Sequence, residues 1–163
     1  MKKFKLTSEF IVDISGVKLF RIKALIEFGN VKAGDLGGYI EKEENLSHMG
    51  NAWVSGNAQV SGDARVSGNA RVSGDAQVFG DARVSGDARV SGDKDYAYAH
   101  GFGSCNRTTT FFRLKDGDVG VRCGCFYGTL AQFRDKVCET HGETKKAQEY
   151  LMLADLMEIR FKN

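Results

Sequence analysis

Between Gly101 and Arg113 the chain reads Gly-Phe-Gly-Ser-Cys-Asn-Arg-Thr-Thr-Thr-Phe-Phe-Arg, a run of glycines, hydroxyls, one amide and two arginines. Glycines let backbone N–H groups approach a ligand, hydroxyls donate hydrogen bonds, and a guanidinium grips phosphate or carboxylate with two parallel bonds. Ser104, Asn106, Arg107, Thr108, Thr109, Thr110 and Arg113, joined by Arg122 from a facing strand, are therefore the candidate ligand-binding set. The ligand class they suit is a nucleotide-like anion. The same residues also read as β-branched strand formers and as surface charges or ion-pair partners. The chain has no Walker-type loop and no complete dinucleotide fingerprint, so the nucleotide reading rests on residue types and no cofactor is expected.

The other reactive side chains are Cys105, Cys123, Cys125 and Cys138, with three histidines. A Cys-x-Cys pair on a strand sends both thiols to one face, and Cys138 with His141 completes a drawable four-ligand set. Its spacing matches no common zinc module, and the expected state is free, mostly buried thiols in a reducing compartment. A cysteine nucleophile would need a paired base, for which only His100 and His141 are candidates. No catalytic residue and no metal is assigned, and the reading leans towards a non-enzyme.

Apart from His48, these residues lie in a tail, 96–163, that reads as an α+β module. Thr108 to Lys115 is a strand, Asp116-Gly117-Asp118 a turn, and Val119 to Phe126 the hairpin partner. Thr129 caps a helix whose Leu130, Phe133 and Val137 share one face, ending at Gly142. A second helix from about Thr144 to Phe161 carries Ala147, Tyr150, Leu151, Ala154 and Met157 as its apolar stripe.

The segment before the tail is a repeat. Seven six-residue units run from Gly50 to Ser91, each written Gly, Asn or Asp, Ala, a long polar residue, Val, then Ser. Val at 54, 60, 66, 72, 78, 84 and 90 and Ala at 52, 58, 64, 70, 76, 82 and 88 give two buried points per unit, two residues apart, which is strand spacing. Gly followed by Asn or Asp supplies a corner after each strand. The outer wall is Ser, Asn, Asp, Gln and Arg. Trp53 and Phe79 are its two large apolar residues, and they are assigned to oligomer or inter-module contact.

This spacing resembles the hexapeptide-repeat proteins. The resemblance implies a left-handed parallel β-helix in which three units make one coil and residues eighteen apart stack. Columns would then form from Val54, Val72 and Val90, from Val60 and Val78, and from Val66 and Val84. Outside them Trp53, Arg71 and Arg89 share one face, Gln59 and Gln77 a second, and Arg65 and Arg83 a third. Extended backwards, the register puts Ile40 and Leu46 at alanine positions and Lys42 and His48 at valine positions, an imperfect first coil. Residues 1–37, with alternating segments and a Ser15-Gly16 turn, read as a small antiparallel β cap over an open strand edge. The expected architecture is thus mainly β: cap 1–37, short left-handed solenoid 38–95, and α+β module 96–163.

The whole chain also resembles phage and prophage proteins. The similarity rests on Phe20-Arg-Ile-Lys-Ala-Leu and Val31-Lys-Ala-Gly-Asp-Leu-Gly-Gly-Tyr-Ile-Glu ahead of the repeat, and on Asn106-Arg-Thr-Thr-Thr and Cys123-Gly-Cys-Phe-Tyr-Gly-Thr after it. It implies a phage accessory product in the bacterial cytoplasm and carries over no functional residue.

Charge narrows the partners. The 163 residues carry a net charge of +2, spread as eight basic against seven acidic over 1–49, four against four in the repeat, and eleven against ten afterwards. That balance excludes bulk nucleic-acid binding, and the absence of a long apolar run excludes membrane insertion. Three function classes remain. The first is an oligomeric binder, a trimer favoured, that counters host defence by sequestering a nucleotide-like signal. The second is a structural solenoid that docks a host protein. The third is a hexapeptide-repeat acyltransferase, whose base would have to be His48 or His100 because the repeat contains no histidine.

Overall fold

A computed structural model of the protein describes residues 1–162, apart from the side chain of Cys105. The chain divides into two compact units between Asp93 and Lys94.

The first unit opens with an antiparallel pair, β1 (Phe4–Val12) and β2 (Lys18–Ala24), joined through a turn in which Asp13 Oδ1 accepts from the N–H groups of Ser15 and Val17. β2 pairs with β3 (Leu36–Ile40), which delivers the chain to the repeat. Seven two-residue strands follow: β4 (Trp53–Val54), β5 (Gln59–Val60), β6 (Arg65–Val66), β7 (Arg71–Val72), β8 (Gln77–Val78), β9 (Arg83–Val84) and β10 (Arg89–Val90). They stack in parallel as β4-β7-β10, β6-β9 and β5-β8, and the last pair extends the five-stranded sheet β1-β2-β3-β5-β8. Partners such as Trp53, Arg71 and Arg89 are eighteen residues apart, so three hexads make one coil.

Each coil hangs from the next by backbone bonds. Trp53 N donates to Ala70 O, Arg71 N to Ala88 O and Gln59 N to Ala76 O, at 2.9–3.1 Å, and the corners join in through Asn51 N to Gly68 O and Asn69 N to Gly86 O. The repeat's valines and alanines fill the interior and are all but inaccessible. The corners require glycine twice over. Gly68 sits at φ +66°, and a Cβ there would stand 2.8 Å from Gly86 N in the coil above.

Such a ladder leaves the first coil with a row of carbonyls that have no coil beneath them. Every one of several such groups has a specific donor. Tyr39 N donates to Ala58 O, Glu41 N to Val60 O and Ser47 N to Val66 O. Asn45 Nδ2 donates to both Gly62 O and Ala64 O, and Lys3 Nζ to Ala52 O at 2.7 Å. Burial beside Arg71 pulls the Lys3 ammonium down to about 8.

Here the structure corrects the backward extension of the repeat. Ile40 pairs with Val60 and Leu46 bridges Val66, so both occupy valine columns, two residues out of step with the hexad register. Ile40 and Leu46 keep the six-residue spacing, so the two extra residues lie between Ser47 and Asn51, after which the regular offset begins. The short 3-10 turn Glu43–Asn45 fits inside the hexad and places Asn45 under the open carbonyls. Trp53 is buried edge-on against Phe28, with ring centroids 5.3 Å apart, whereas Phe79 is 49 % exposed.

The second unit is a four-stranded antiparallel sheet with two helices on one face. Its strands, in spatial and chain order, are β11 (Tyr96–His100), β12 (Thr108–Arg113), β13 (Val119–Cys123) and β14 (Phe126–Thr129). The stretch Val119 to Phe126, expected as one strand, is broken by Gly124 at φ +58°, so β14 turns back along β13. β11 was not expected at all; its Tyr-Ala-Tyr-Ala-His alternation is the signal. Thr129 then caps α1 (Leu130–His141) in a reciprocal box with Gln132, and Thr144 caps α2 (Lys145–Arg160). Phe111, Val121, Phe133, Val137, Tyr150 and Ala154 are central to the core between sheet and helices. Among the described residues no helix is long and apolar enough to cross a membrane.

A coil of eighteen residues predicts how the repeat tolerates length changes. Deleting Gly62–Phe79, one whole coil, keeps every column in register, and urea denaturation should show a cooperative transition with a smaller slope. Deleting Gly62–Ser67 instead rotates all later hexads by one face relative to β3 and the Asn45 turn, and should lower the midpoint further despite removing fewer residues.

Candidate functional site

The alternation of β12 decides where the candidate residues go. Thr109 and Phe111 face the helices: Thr109 Oγ1 donates to Cys123 Sγ at 3.2 Å and the Phe111 ring meets Phe133 edge-on. Thr108, Thr110 and Phe112 take the other face. There Thr110 lies in one cross-strand row with Tyr98, Arg122 and Tyr127, while Thr108 Oγ1 is 2.7 Å from His100 Nδ1. The Nε of Arg122 is buried with no hydrogen-bond partner among the described residues.

The three arginines therefore do not converge. Arg113, at the far end of β12, bonds Asp95 Oδ1 at 3.4 Å and Phe161 O at 3.2 Å and rests on the Phe161 ring, tying down the end of α2. Arg122 belongs to the face away from the helices. Arg107 turns to the helix side, where Nε donates to Ser104 O at 3.2 Å. Ser104 and Asn106 bound a one-turn 3-10 helix, and Asn106 at φ +47° is exposed.

Ser104 and Arg107 are the two candidates that share a cavity, of about 200 Å³. Its floor is aromatic: Phe126, Phe133 and Tyr150, with Phe133 packed against the other two rings at 5.7 and 5.6 Å. Its rim carries Arg107 together with Lys136, Thr140 and His141 from α1 and Cys125 from the β13–β14 turn, and the buried Cys123 at the end of β13 also lines it. Among the described residues no lining residue is acidic, and Lys136 Nζ lies 3.8 Å from Glu139 Oε1 outside the lining. Lys136 and Thr140 escaped the sequence reading, although they flank the buried Phe133–Val137 stripe at helical spacing, which was the available signal.

Two glycines shape this cavity. A Cβ on Gly103 would overlap the Tyr150 ring, and one on Gly124 would overlap the Arg107 guanidinium. The Tyr150 hydroxyl accepts from Ser104 N at 2.7 Å and lies 3.7 Å from Cys123 Sγ, which fixes the loop over the cavity. Burial, with the Cys123 contact, pushes the phenol up to about 12. Cys123 is buried, whereas Cys125 and Cys138 are exposed free thiols; the Cys105 side chain lies outside the described residues. No cluster of three or more metal-ligating side chains occurs among the described residues.

The repeat matches a known sequence family over part of its length. Residues 58–80 and 76–92 fit the model of the YdcK β-solenoid repeat. This is a β-solenoid repeat protein. No curated protein matches the chain. The similarity speaks for the solenoid and leaves the cavity's chemistry to the geometry.

Tyr150 provides a test of the loop anchor. Its native pKa lies above the value of about 10 for a free phenol, so the folded state holds this proton more tightly and gains stability from it below pH 10. That gain is lost as pH rises through about 12. Phenolate absorbance of the protein minus Tyr150→Phe should show one tyrosine ionising only near pH 12, and the variant should lose about 1–3 kcal/mol at neutral pH in urea melts.

Proposed function

We propose that this protein is a non-enzymatic binder whose second unit captures a small nucleotide-like anion in the cavity beside Arg107. The observation that carries the reading is the cavity's composition: an aromatic floor under a rim that holds Arg107, Lys136 and His141 and, among the described residues, no carboxylate. Flat rings accept a planar group by stacking, and a guanidinium next to an ammonium suits a phosphate. A volume of about 200 Å³ is less than drug-sized sites of roughly 300–1,000 Å³, so the cavity takes one end of a ligand rather than all of it. No hydrogen bond joins a cysteine to His141 among the described residues, and this favours capture over nucleophilic chemistry.

In this reading the solenoid is a rigid support. Coils of three hexads have the period of the hexapeptide-repeat class, and on that basis we read the helix as left-handed and the assembly as a trimer. The resemblance of both flanks to phage and prophage proteins supports an accessory role in a bacterial cytoplasm, sequestering a signal used by host defence. Docking of a host protein is the second reading, favoured by half-exposed Phe79 beside Val12 and Ile14 along a groove of about 530 Å³. The acyltransferase reading is the weakest. His48 stacks on Phe4, pairs with Glu43 at 3.0 Å and accepts from Lys3 N, so both its ring nitrogens are engaged.

The test is ligand retention. Protein purified from bacteria, then denatured, should release a nucleotide-like anion detectable by mass spectrometry, and Arg107→Ala should cut affinity in calorimetry at least about tenfold. Absence of binding across a nucleotide panel overturns the reading. Heat on adding acetyl-CoA would return the acyltransferase to the front.

A further inference from the structure

A second cluster of positive charge stands in the first unit, remote in sequence from the tail. Trp53, Arg71 and Arg89 are aligned across β4, β7 and β10, so the two arginines stand one above the other on the same outward face, about 4.8 Å apart at the backbone. Arg71 also faces the Gly29 turn: a Cβ at Gly29 would lie 2.8 Å from its Nη2. Next to that turn, Lys3 Nζ sits 4.6 Å from the centre of the Phe28 ring, and Phe28 in turn packs on Trp53.

Charges this close ordinarily have counter-ions within the fold. Arg21 has Glu9, Lys42 has Asp63, Arg113 has Asp95, and Arg134 has Asp155 and Glu158. Lys3, Arg71 and Arg89 have none: no carboxylate among the described residues lies within ion-pair distance of any of them. Lys3 spends its donors on Ala52 O and Gly50 O, and Arg89 Nη1 on Asn69 O and Ala88 O, so each interaction satisfies hydrogen bonding and leaves the charge uncompensated. Both Lys3 and Arg71 are pulled below their ordinary values, by burial first and by each cation's neighbouring arginine second. Holding such a set together without an anion costs stability, and an anion placed between the arginines recovers it.

We propose that Arg71 and Arg89 form a binding site for a doubly charged oxyanion, such as a phosphate group, on the Trp53 face of the solenoid, with buried Lys3 supplying part of the attracting field. Two guanidinium groups from neighbouring coils offer several N–H donors to the oxygens of one tetrahedral anion, a match that chloride lacks. The site is independent of the cavity beside Arg107, because Arg71 and Arg107 belong to different units.

The probe is inorganic phosphate, titrated into the full chain with chloride at matched ionic strength as control. Phosphate should raise the thermal midpoint of the wild type beyond what chloride does, and by the same amount in Arg107→Ala. Arg71→Gln should weaken the phosphate response at least about tenfold and, in chloride, should be as stable as the wild type or more so. Gln occupies the same hexad position at Gln59 and Gln77, so this variant suits the coil; Arg89→Gln is the second variant and should behave alike. Equal responses to phosphate and chloride in the wild type overturn the proposal, as does a wild-type phosphate response in both glutamine variants. A phosphate response lost in Arg107→Ala but kept in Arg71→Gln assigns the anion to the tail cavity and also overturns it.

Discussion

The backbone ladder between coils is the interaction on which the first unit depends. N–H groups of strands and corners, such as those of Trp53, Ser55, Asn57 and Gln59, donate to carbonyls of the next coil, while alanine N–H groups close the corners within a coil, as Ala58 N does on Ser55 O. At the first coil, carbonyls that would accept from a preceding coil, among them Ala58 O, Val60 O and Val66 O, need other donors. A strand only two residues long cannot hold such an end by side-chain packing. The end must be closed by donors, and the arrangement of residues 3 to 47 is that closure.

The closure mixes three kinds of donor. Backbone N–H groups of Tyr39, Glu41 and Ser47 continue the ladder, the Asn45 amide imitates it with two donors on one nitrogen, and Lys3 Nζ substitutes for it with a charge. The last choice is the expensive one, because an ammonium inside a β structure loses most of its hydration. The lowered Lys3 pKa records that cost. Arg71 and Arg89, stacked by the same ladder, add two more cations, and neither is ion-paired with a carboxylate among the described residues.

In the second unit the organising constraint is the pleat. Neighbouring residues on β12 must take opposite faces, so a run of three threonines between two arginines is separated even though it is contiguous in sequence. What draws side chains together is the turn at Gly124 and the helix that follows it. They bring Arg107, Lys136 and His141 around three aromatic rings, residues spread over more than forty positions of the chain. Arg113 shows the opposite outcome, a candidate used up in holding Phe161 and Asp95.

The repeat was legible because its pattern is local. Gly at positive φ, Ala and Val two apart, and a polar residue between them specify a strand and a corner without reference to anything distant, and the caps Thr129, Gly142 and Thr144 are equally local. The two-residue slip at Ile40 and Leu46 was invisible, since it arises from extra residues between Ser47 and Asn51 in a stretch that carries no hexad pattern of its own. Of the two large residues on the outer wall, Trp53 is covered by Phe28 from outside the repeat, and Phe79 is half exposed. The candidate arginines were visible as residues and could not be placed, because their directions follow from pleat, turn and helix packing together. Sequence by itself determined the period, the corners and the helix ends, all set by short-range stereochemistry. Only the tertiary structure decided which charges meet and which are divided, because charge proximity is a property of stacked coils and packed faces and not of spacing along the chain.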